Sequence, residues 1–268
     1  MGKLSNNYDF ILDTLKYSYS SVSTYANCPF SFKLSYIEMV DREQNFFSDY
    51  GSLIHACIEQ YFRNNLDSFE LIEYYDEIYD KYIKNPPPPY PPGMEERYRE
   101  SGREFFSGFS FEREKYNVLD VEDTVEFSLP SGVSFTARPD LVLQDKKTNK
   151  IYLFDYKSSV VFKTDKFGNE KVDIKKLEGY TTQAYIYAYA LRKKKNYKIS
   201  NIIIWFTRPE KKHVIKWNKK DEDKAITWIE TQIEKIKADE EFLYNNSNQF
   251  FCQNLCNVRN SCPFWSRV

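Results

Sequence analysis

Long apolar runs are missing from this chain of 268 residues. Its apolar stretches, such as Ile202-Ile203-Ile204-Trp205-Phe206, fall far short of the roughly 20 residues that span a bilayer. No membrane-spanning segment and no membrane partner is therefore expected. An excess of one charge is also missing. The 38 Lys and Arg against 39 Asp and Glu leave a net charge of −1, which excludes a global field that would pull the chain toward nucleic acid. Contact with a polyanion is left to local basic patches. No Gly-x-x-x-x-Gly-Lys-Ser/Thr stretch exists, which excludes a phosphate loop for nucleotide hydrolysis. No internal repeat is present. Residues 1–7 have no apolar core of the signal-peptide kind, and Asn6 stands where a myristoylation signal needs Ser or Thr. A cytoplasmic protein is expected, and in that compartment cysteines are free or metal-bound rather than paired as disulfides.

Aromatics are abundant, with 22 Tyr and 21 Phe. Most are expected in the core, though such rings also stack on nucleobases. Apolar spacing predicts helices over 30–37, 51–62, 66–83, 94–111, 177–194 and 221–244, and one from Ser18 to Tyr25 capped by Ser20. The proline-rich segment 85–93 reads as a stiff connector between helices, with docking to an aromatic groove as the alternative. From Val118 the period becomes two and runs on through residue 129. Further strands are predicted over 133–143, 151–157, 201–207 and 213–217. The expected fold class is α/β or α+β with a mixed central sheet. A single domain over 1–268 is expected, with a helical insertion or cap at 63–117 and a sheet core at 118–217.

The polar turn 145–150 lies between two apolar runs. If it closes a hairpin, facing residues have numbers summing to about 295, which sets Asp140 across from Asp155. Two facing carboxylates repel, and a divalent cation between them removes the conflict. Lys157 is two residues beyond Asp155 and emerges on the same face, while Tyr156 points away and leaves its carbonyl near the acids. An Asp–Lys ion pair at a sheet edge explains the spacing equally well. The chemistry of the pair fits phosphodiester hydrolysis: magnesium prefers oxygen ligands, acidifies bound water and neutralises phosphate charge. Lys157 is placed to stabilise the charge that develops in the reaction. Glu122 could add a third carboxylate, although a solvated strand residue is the simpler reading. His55 is one of 2 histidines and lies on a predicted helix, where a lone His is usually not a ligand. Gln183 and Tyr187 share one helix face and could bond a phosphate, a base edge or each other's surroundings in the core.

Four of the 5 cysteines sit at the two ends: Cys28 near the start, and Cys252, Cys256 and Cys262 near the finish. Four thiolates hold zinc or an iron–sulfur cluster, and composition does not choose between them. Zinc modules usually pair close Cys-x-x-Cys knuckles, which fits less well here. Cys57 lies on the apolar face of its helix and reads as core.

Taken together, the motifs resemble the RecB-like branch of the PD-(D/E)xK nucleases in its iron–sulfur form, a group that includes AddB-type nuclease domains, CRISPR-associated adaptation exonucleases and phage exonucleases. The similarity rests on Ser18-Tyr19-Ser20 with Tyr25 and Cys28-Pro29, Gly51 with His55, Val121-Glu122, Arg138-Pro139-Asp140, Asp155-Tyr156-Lys157, and Gln183 with Tyr187. The resemblance implies a restriction-endonuclease-like core and an Mg²⁺- or Mn²⁺-dependent deoxyribonuclease acting on single-stranded DNA or ends. It implies roles in recombination, repair, phage DNA processing or CRISPR-type adaptation, in a bacterium or a phage host. It makes His55, Asp140, Asp155 and the Tyr156 carbonyl metal ligands, and Lys157 the catalytic lysine with Glu122 beside it. It further implies DNA contacts from Gln183 and Tyr187, and a [4Fe–4S] cluster on Cys28, Cys252, Cys256 and Cys262. Protein partners in a larger complex follow from the same resemblance, with a non-catalytic subunit as the alternative. The spacing Cys252-x3-Cys256-x5-Cys262 departs from the x2-then-x5 that the resemblance implies, so one extra residue must bulge or shift the loop.

Overall fold

A computed structural model describes residues 8–265, so the reading of residues 1–7 lies outside the described residues. The chain opens with α1 (Asp9–Thr14), β1 (Tyr17–Ser18), α2 (Tyr19–Asn27) and α3 (Pro29–Phe32), which runs into a π-helical turn, Lys33–Ile37. Three longer helices follow: α4 (Phe46–Phe62), α5 (Leu71–Tyr82) and α6 (Met94–Ser107). Next come β2 (Tyr116–Val121), β3 (Val125–Ser128), β4 (Ser134–Ala137), β5 (Leu141–Asp145), β6 (Ile151–Lys157), β7 (Phe162–Thr164) and β8 (Glu170–Val172). The chain continues with α7 (Ile174–Lys195), β9 (Ile199–Thr207), β10 (Glu210–Lys216) and α8 (Lys219–Ala238), then a second π turn, Phe251–Leu255. The class is mixed α/β, as the order of sequence periods implies.

The chain divides into two compact units. One holds the chain up to Asn45, Glu126–Ala137, and everything from Asp223 onward; the other holds Phe46–Val125 and Arg138–Glu222. The second unit is built on a five-stranded sheet in the order β10-β9-β6-β5-β2. Only β6 and β9 pair in parallel; the other pairs are antiparallel. Strand β6 is central: its residues from Leu153 to Tyr156 are buried on both faces, apolar except for Asp155. Leu141 faces Phe154 and Val142 faces Leu153, which is the register that hairpin counting predicts. Phe154, Tyr156 and Trp205 pack with Leu53 and Ile54 of α4, Tyr75 of α5 and Phe105 of α6 in one aromatic-rich core. The predicted cap helices are thus part of the wall of this core. The connector after α5 is tied down as well: the backbone N–H groups of Lys84 and Asn85 donate to Asp49 Oδ2 at 3.0 and 3.1 Å.

The first unit carries a three-stranded sheet in the order β1-β4-β3, with β1 and β4 parallel. Its core includes Leu12, Val22, Phe135 and Ile229, with Phe32 and Phe242 stacked at 6.1 Å between ring centroids.

Several boundaries differ from the sequence periods. The strand expected through residue 129 breaks at Glu122, which adopts φ 56°, and β2 and β3 join different sheets. The strand expected over 133–143 breaks at Arg138-Pro139-Asp140, where proline supplies no ladder N–H. Helix α2 is capped by Ser18, whose Oγ accepts from Ser21 N at 3.1 Å, and not by Ser20. Helix α8 stops at Ala238, short of residue 244. Residues 162–172, for which the sequence periods predict no element, form the hairpin β7–β8. Its turn is closed by Asp165 Oδ1, which accepts from Phe167 N and Asn169 N at 2.9 and 3.0 Å.

Candidate active site

Strand β6 places Asp155 at zero exposure in the second unit, with Lys157 Nζ 2.6 Å from its Oδ2. Asp155 Oδ1 is buried and accepts no hydrogen bond among the described residues. Asp140 sits just before β5 and is also buried. Its Oδ2 accepts from the Tyr156 backbone N–H at 2.6 Å, which locks the carboxylate against the neighbouring strand.

Helix α4 brings His55 to the same place. Its Nδ1 lies 2.9 Å from Glu122 Oε1 and 3.8 Å from Asp140 Oδ1, and its Nε2 lies 3.2 Å from the Tyr156 carbonyl. One ligand atom from each of His55, Glu122 and Asp140 falls within 4.8 Å of the others. Glu122 reaches this position because its backbone turns into the left-handed region, which non-glycine residues rarely enter. Neighbours hold it there. Glu122 N donates to the Asp140 carbonyl at 3.0 Å, and Arg138 Nε donates to the Glu122 carbonyl at 2.9 Å. Arg138 also lies 3.1 Å from Glu122 Oε2. Counting periods along the strand could not find this, because the turn takes Glu122 out of the alternation.

On α7, Gln183 Nε2 donates to Tyr187 Oη at 2.8 Å, so this pair is bonded internally. Tyr187 is nine-tenths buried. A residue that sequence reasoning missed, Tyr180, lies with its ring 5.0 Å beneath Lys157 Nζ and its Oη 2.6 Å from Ser159 Oγ. The available signal was its seven-residue offset from Tyr187, two helical turns along the same face.

The first unit gathers the cysteines. Cys28, Cys252, Cys256 and Cys262 all line one cavity of about 30 Å³, walled by Phe30, Leu34 and Phe251 among others. Ser31 Oγ lies 3.6 Å from Cys256 Sγ, and Asn245 N donates to Cys28 Sγ at 3.4 Å. The three residues between Cys252 and Cys256 lie in the π turn Phe251–Leu255, closed by Cys256 N donating to the Phe251 carbonyl at 2.8 Å. A π turn accommodates one residue more than an α turn without unwinding the helix. Cys57 is fully buried in the other unit's core, as its apolar helix face implies.

A profile of the PD-(D/E)XK nuclease superfamily matches residues 16–263. The chain belongs to this superfamily. The family name spells a motif that reads here as Pro139-Asp140 and Asp155-Tyr156-Lys157. The fold is similar to the crystal structure of a candidate exonuclease from Eubacterium rectale, with TM-score 0.54 and 15% identity over 97% of this chain and 93% of that one. A second crystal structure, of SSO0001, aligns at TM-score 0.34 and 14% identity over 88% of this chain and 94% of that one, too distant to carry an argument. No curated protein matches the sequence.

PD-(D/E)XK nucleases use divalent metals, and the second unit fits one. Its donor set is one imidazole and several carboxylates, and Asp155 Oδ1 is a buried acceptor with nothing to accept. Electrostatics point the same way. Burial, then the neighbouring Asp155, raises the Asp140 carboxyl to about 7, against the opposing pull of His55 and Lys157. For His55, burial favours the neutral ring, but Asp140 and the Glu122 hydrogen bond outweigh it and raise the group to about 9. Burial also works against the Lys157 ammonium, yet Asp155 and Asp140 hold it protonated well above the usual range.

His55 and Asp140 both bind protons more tightly in the folded state than at their reference values of 6.5 and 3.8. Their stabilisation is complete below those reference values. The Asp140 part is lost as pH rises to about 7, and the His55 part as it rises through about 9. A divalent cation held by these two groups would have to displace their protons, and its stabilising effect would grow over the same range. The expected result is a rise in Tm on adding Mn²⁺ or Mg²⁺ that increases steadily from about pH 6 to about pH 9. A shift independent of pH would contradict this protonation scheme.

Proposed function

We propose that the protein is a metal-dependent DNA exonuclease acting on single strands or DNA ends. The observation that carries this reading is the convergence of His55, Glu122 and Asp140 beside the buried Asp155–Lys157 pair. In this proposal Asp140, Asp155, His55 and the Tyr156 carbonyl hold Mg²⁺ or Mn²⁺, with Glu122 as a further ligand or as the partner that orients His55. A bound cation of this kind supplies Lewis acidity, a more acidic water and charge neutralisation at the phosphate. Lys157 keeps its proton and presents a fixed positive charge to the developing pentacovalent phosphate. Asp155 anchors that ammonium, and the Tyr180 ring supports it from the other side. Gln183 and Tyr187 brace the helix behind it, and they reach DNA only if their mutual bond opens. The exonuclease component draws support from the similar fold of the Eubacterium rectale protein.

The four cysteines of the first unit are assigned a [4Fe–4S] cluster in the same proposal. Zinc, with Zn–S near 2.3 Å, would set tetrahedral sulfurs about 3.8 Å apart. The zinc alternative fits less well because Cys28 lies more than two hundred residues from the other three cysteines, not in a close Cys-x-x-Cys knuckle.

End-labelled single-stranded DNA incubated with Mg²⁺ or Mn²⁺ tests the assignment. Wild type is expected to degrade it and Asp155→Ala to leave it intact. Equal degradation by both would reveal a contaminant and overturn the proposal. Linear DNA should be consumed while circular DNA survives; cutting of circles would make the enzyme an endonuclease.

A further inference from the structure

Beyond the candidate metal-binding residues, the second unit carries a group of cations whose neighbouring acids are engaged elsewhere. Three aromatic rings form its floor. Phe206 of β9 meets Phe162 of β7 at 5.2 Å and Tyr180 of α7 at 6.1 Å between centroids. Cations surround it: Lys176 lies one helical turn before Tyr180, Arg208 two residues beyond Phe206, and Lys211 Nζ sits over the Phe162 ring at 4.2 Å, while Lys163 follows Phe162 on the opposite face of β7. We infer that Lys163, Lys176 and Arg208 form a seat for a phosphate group of the DNA substrate, next to the catalytic lysine.

Position supports the inference. Tyr180, on the floor of the seat, is the ring under Lys157 Nζ, and Phe206 pairs with Lys157 across the parallel strands β6 and β9. Lys176 Nζ lies 3.4 Å from the carbonyl of Val160, three residues beyond Lys157 along the chain.

Charge supports it as well. Burial is the main influence holding the Lys176 ammonium below its usual range; the positive charges of Lys163 and Arg208 add to it, and Asp173 alone opposes. The nearby acids are already engaged. Asp173 caps α7 by accepting from Lys176 N at 3.1 Å, Asp165 closes the hairpin turn, and Glu170 pairs with Lys211 at 2.5 Å. Arg208 lies over the Tyr98 ring at 3.4 Å, and its buried Nε has no hydrogen-bond acceptor among the described residues. Lys176 Nζ donates to the Val160 carbonyl at 3.4 Å. Three like charges repel, and a bound oxyanion turns that repulsion into attraction while giving the orphaned donor its acceptor. The first turn of α7 adds positive potential at the same point.

The inference rests on the nuclease reading, and one experiment separates the two. A fluorescent single-stranded oligonucleotide is prepared with a 5′-phosphate, a 3′-phosphate or hydroxyl ends. Its affinity is measured in EDTA at several salt concentrations, for wild type, Lys176→Gln, Lys163→Gln, the double variant and Lys176→Arg. Thermal melts identify properly folded variants, and the exposed Lys163 provides one that tolerates substitution. Lys176→Gln should weaken binding about tenfold and lower the salt slope by about one, while Lys176→Arg stays within about twofold of wild type. If the seat takes a terminal phosphate, removing that phosphate weakens wild type and not Lys176→Gln; if it takes an internal phosphate, Lys176→Gln weakens all three oligonucleotides alike. Either pattern supports the seat. Wild-type affinity and salt slope in both glutamine variants and their combination, with normal cutting by wild type, would sink the seat alone. A wild type that neither binds nor cuts any of these strands would sink the nuclease reading with it.

Discussion

Replacing Lys157 with alanine is expected to slow DNA cleavage by about 10²–10³-fold in saturating metal, the loss typical of removing one preorganised electrostatic contact to a transition state. The same change should destabilise the metal-free protein. Asp155 has zero exposure, and Lys157 Nζ at 2.6 Å is its partner cation. Without that ammonium the carboxylate remains buried and unpaired, a defect worth about 3–5 kcal/mol. In a protein of this size that is a fall in Tm on the order of 10 °C. Divalent metal should restore much of the lost stability, because a cation beside Asp155 replaces the missing charge, but it should not restore the rate. Paired Tm and single-turnover measurements on Lys157→Ala, with and without Mn²⁺, separate these effects. A variant that recovers both stability and rate with metal would show that Lys157 is only a structural counter-ion.

Replacing Cys256 with alanine should bleach the brown colour expected of a cluster-loaded protein and lower its stability. Cys28 and Cys252 stand more than two hundred residues apart, and a group that joins them restricts the unfolded chain across that whole span. Loop-closure entropy puts such a constraint at about 5 kcal/mol. Cys256 is also buried beside Leu34 and Val258, so little solvent is available to take over for a missing ligand. Iron and sulfide content, visible absorbance and Tm should all fall together in Cys256→Ala. Cleavage measured well below the new Tm should change much less, because His55, Asp140, Asp155 and Lys157 belong to the other unit. A variant as stable as wild type would rule out a structural role for the cysteine site, and zinc in place of iron would rule out the cluster.

The active-site strand was the most legible part of the sequence. An apolar run ending in Asp155-Tyr156-Lys157, after a polar turn, predicts strand limits of 151–157, and β6 is Ile151–Lys157. Its register with β5 follows from counting, because a tight turn leaves few pairings open. The hairpin β7–β8 was less legible. Its lysines and short apolar spacing resemble a charged loop, although Asp165 three residues before Gly168 is a turn signal that local reading can use. Glu122 was least legible as a strand residue, since its φ of 56° depends on Arg138 and on hydrogen bonding to Asp140, neither of which the local alternation can reveal.

The sequence by itself determined the mixed α/β class, the hairpin register that pairs Leu141 with Phe154 and leaves Asp140 and Asp155 each one residue beyond that pair, and the separation of four end cysteines from the central acids. Those features depend on local periodicity, turn chemistry and residue type. Tertiary structure alone decided that His55 meets Glu122, that a π turn forms between Phe251 and Leu255, and that Phe162, Tyr180 and Phe206 share one cluster of rings. Each of these depends on how separate segments pack, and packing joins residues that no local pattern relates.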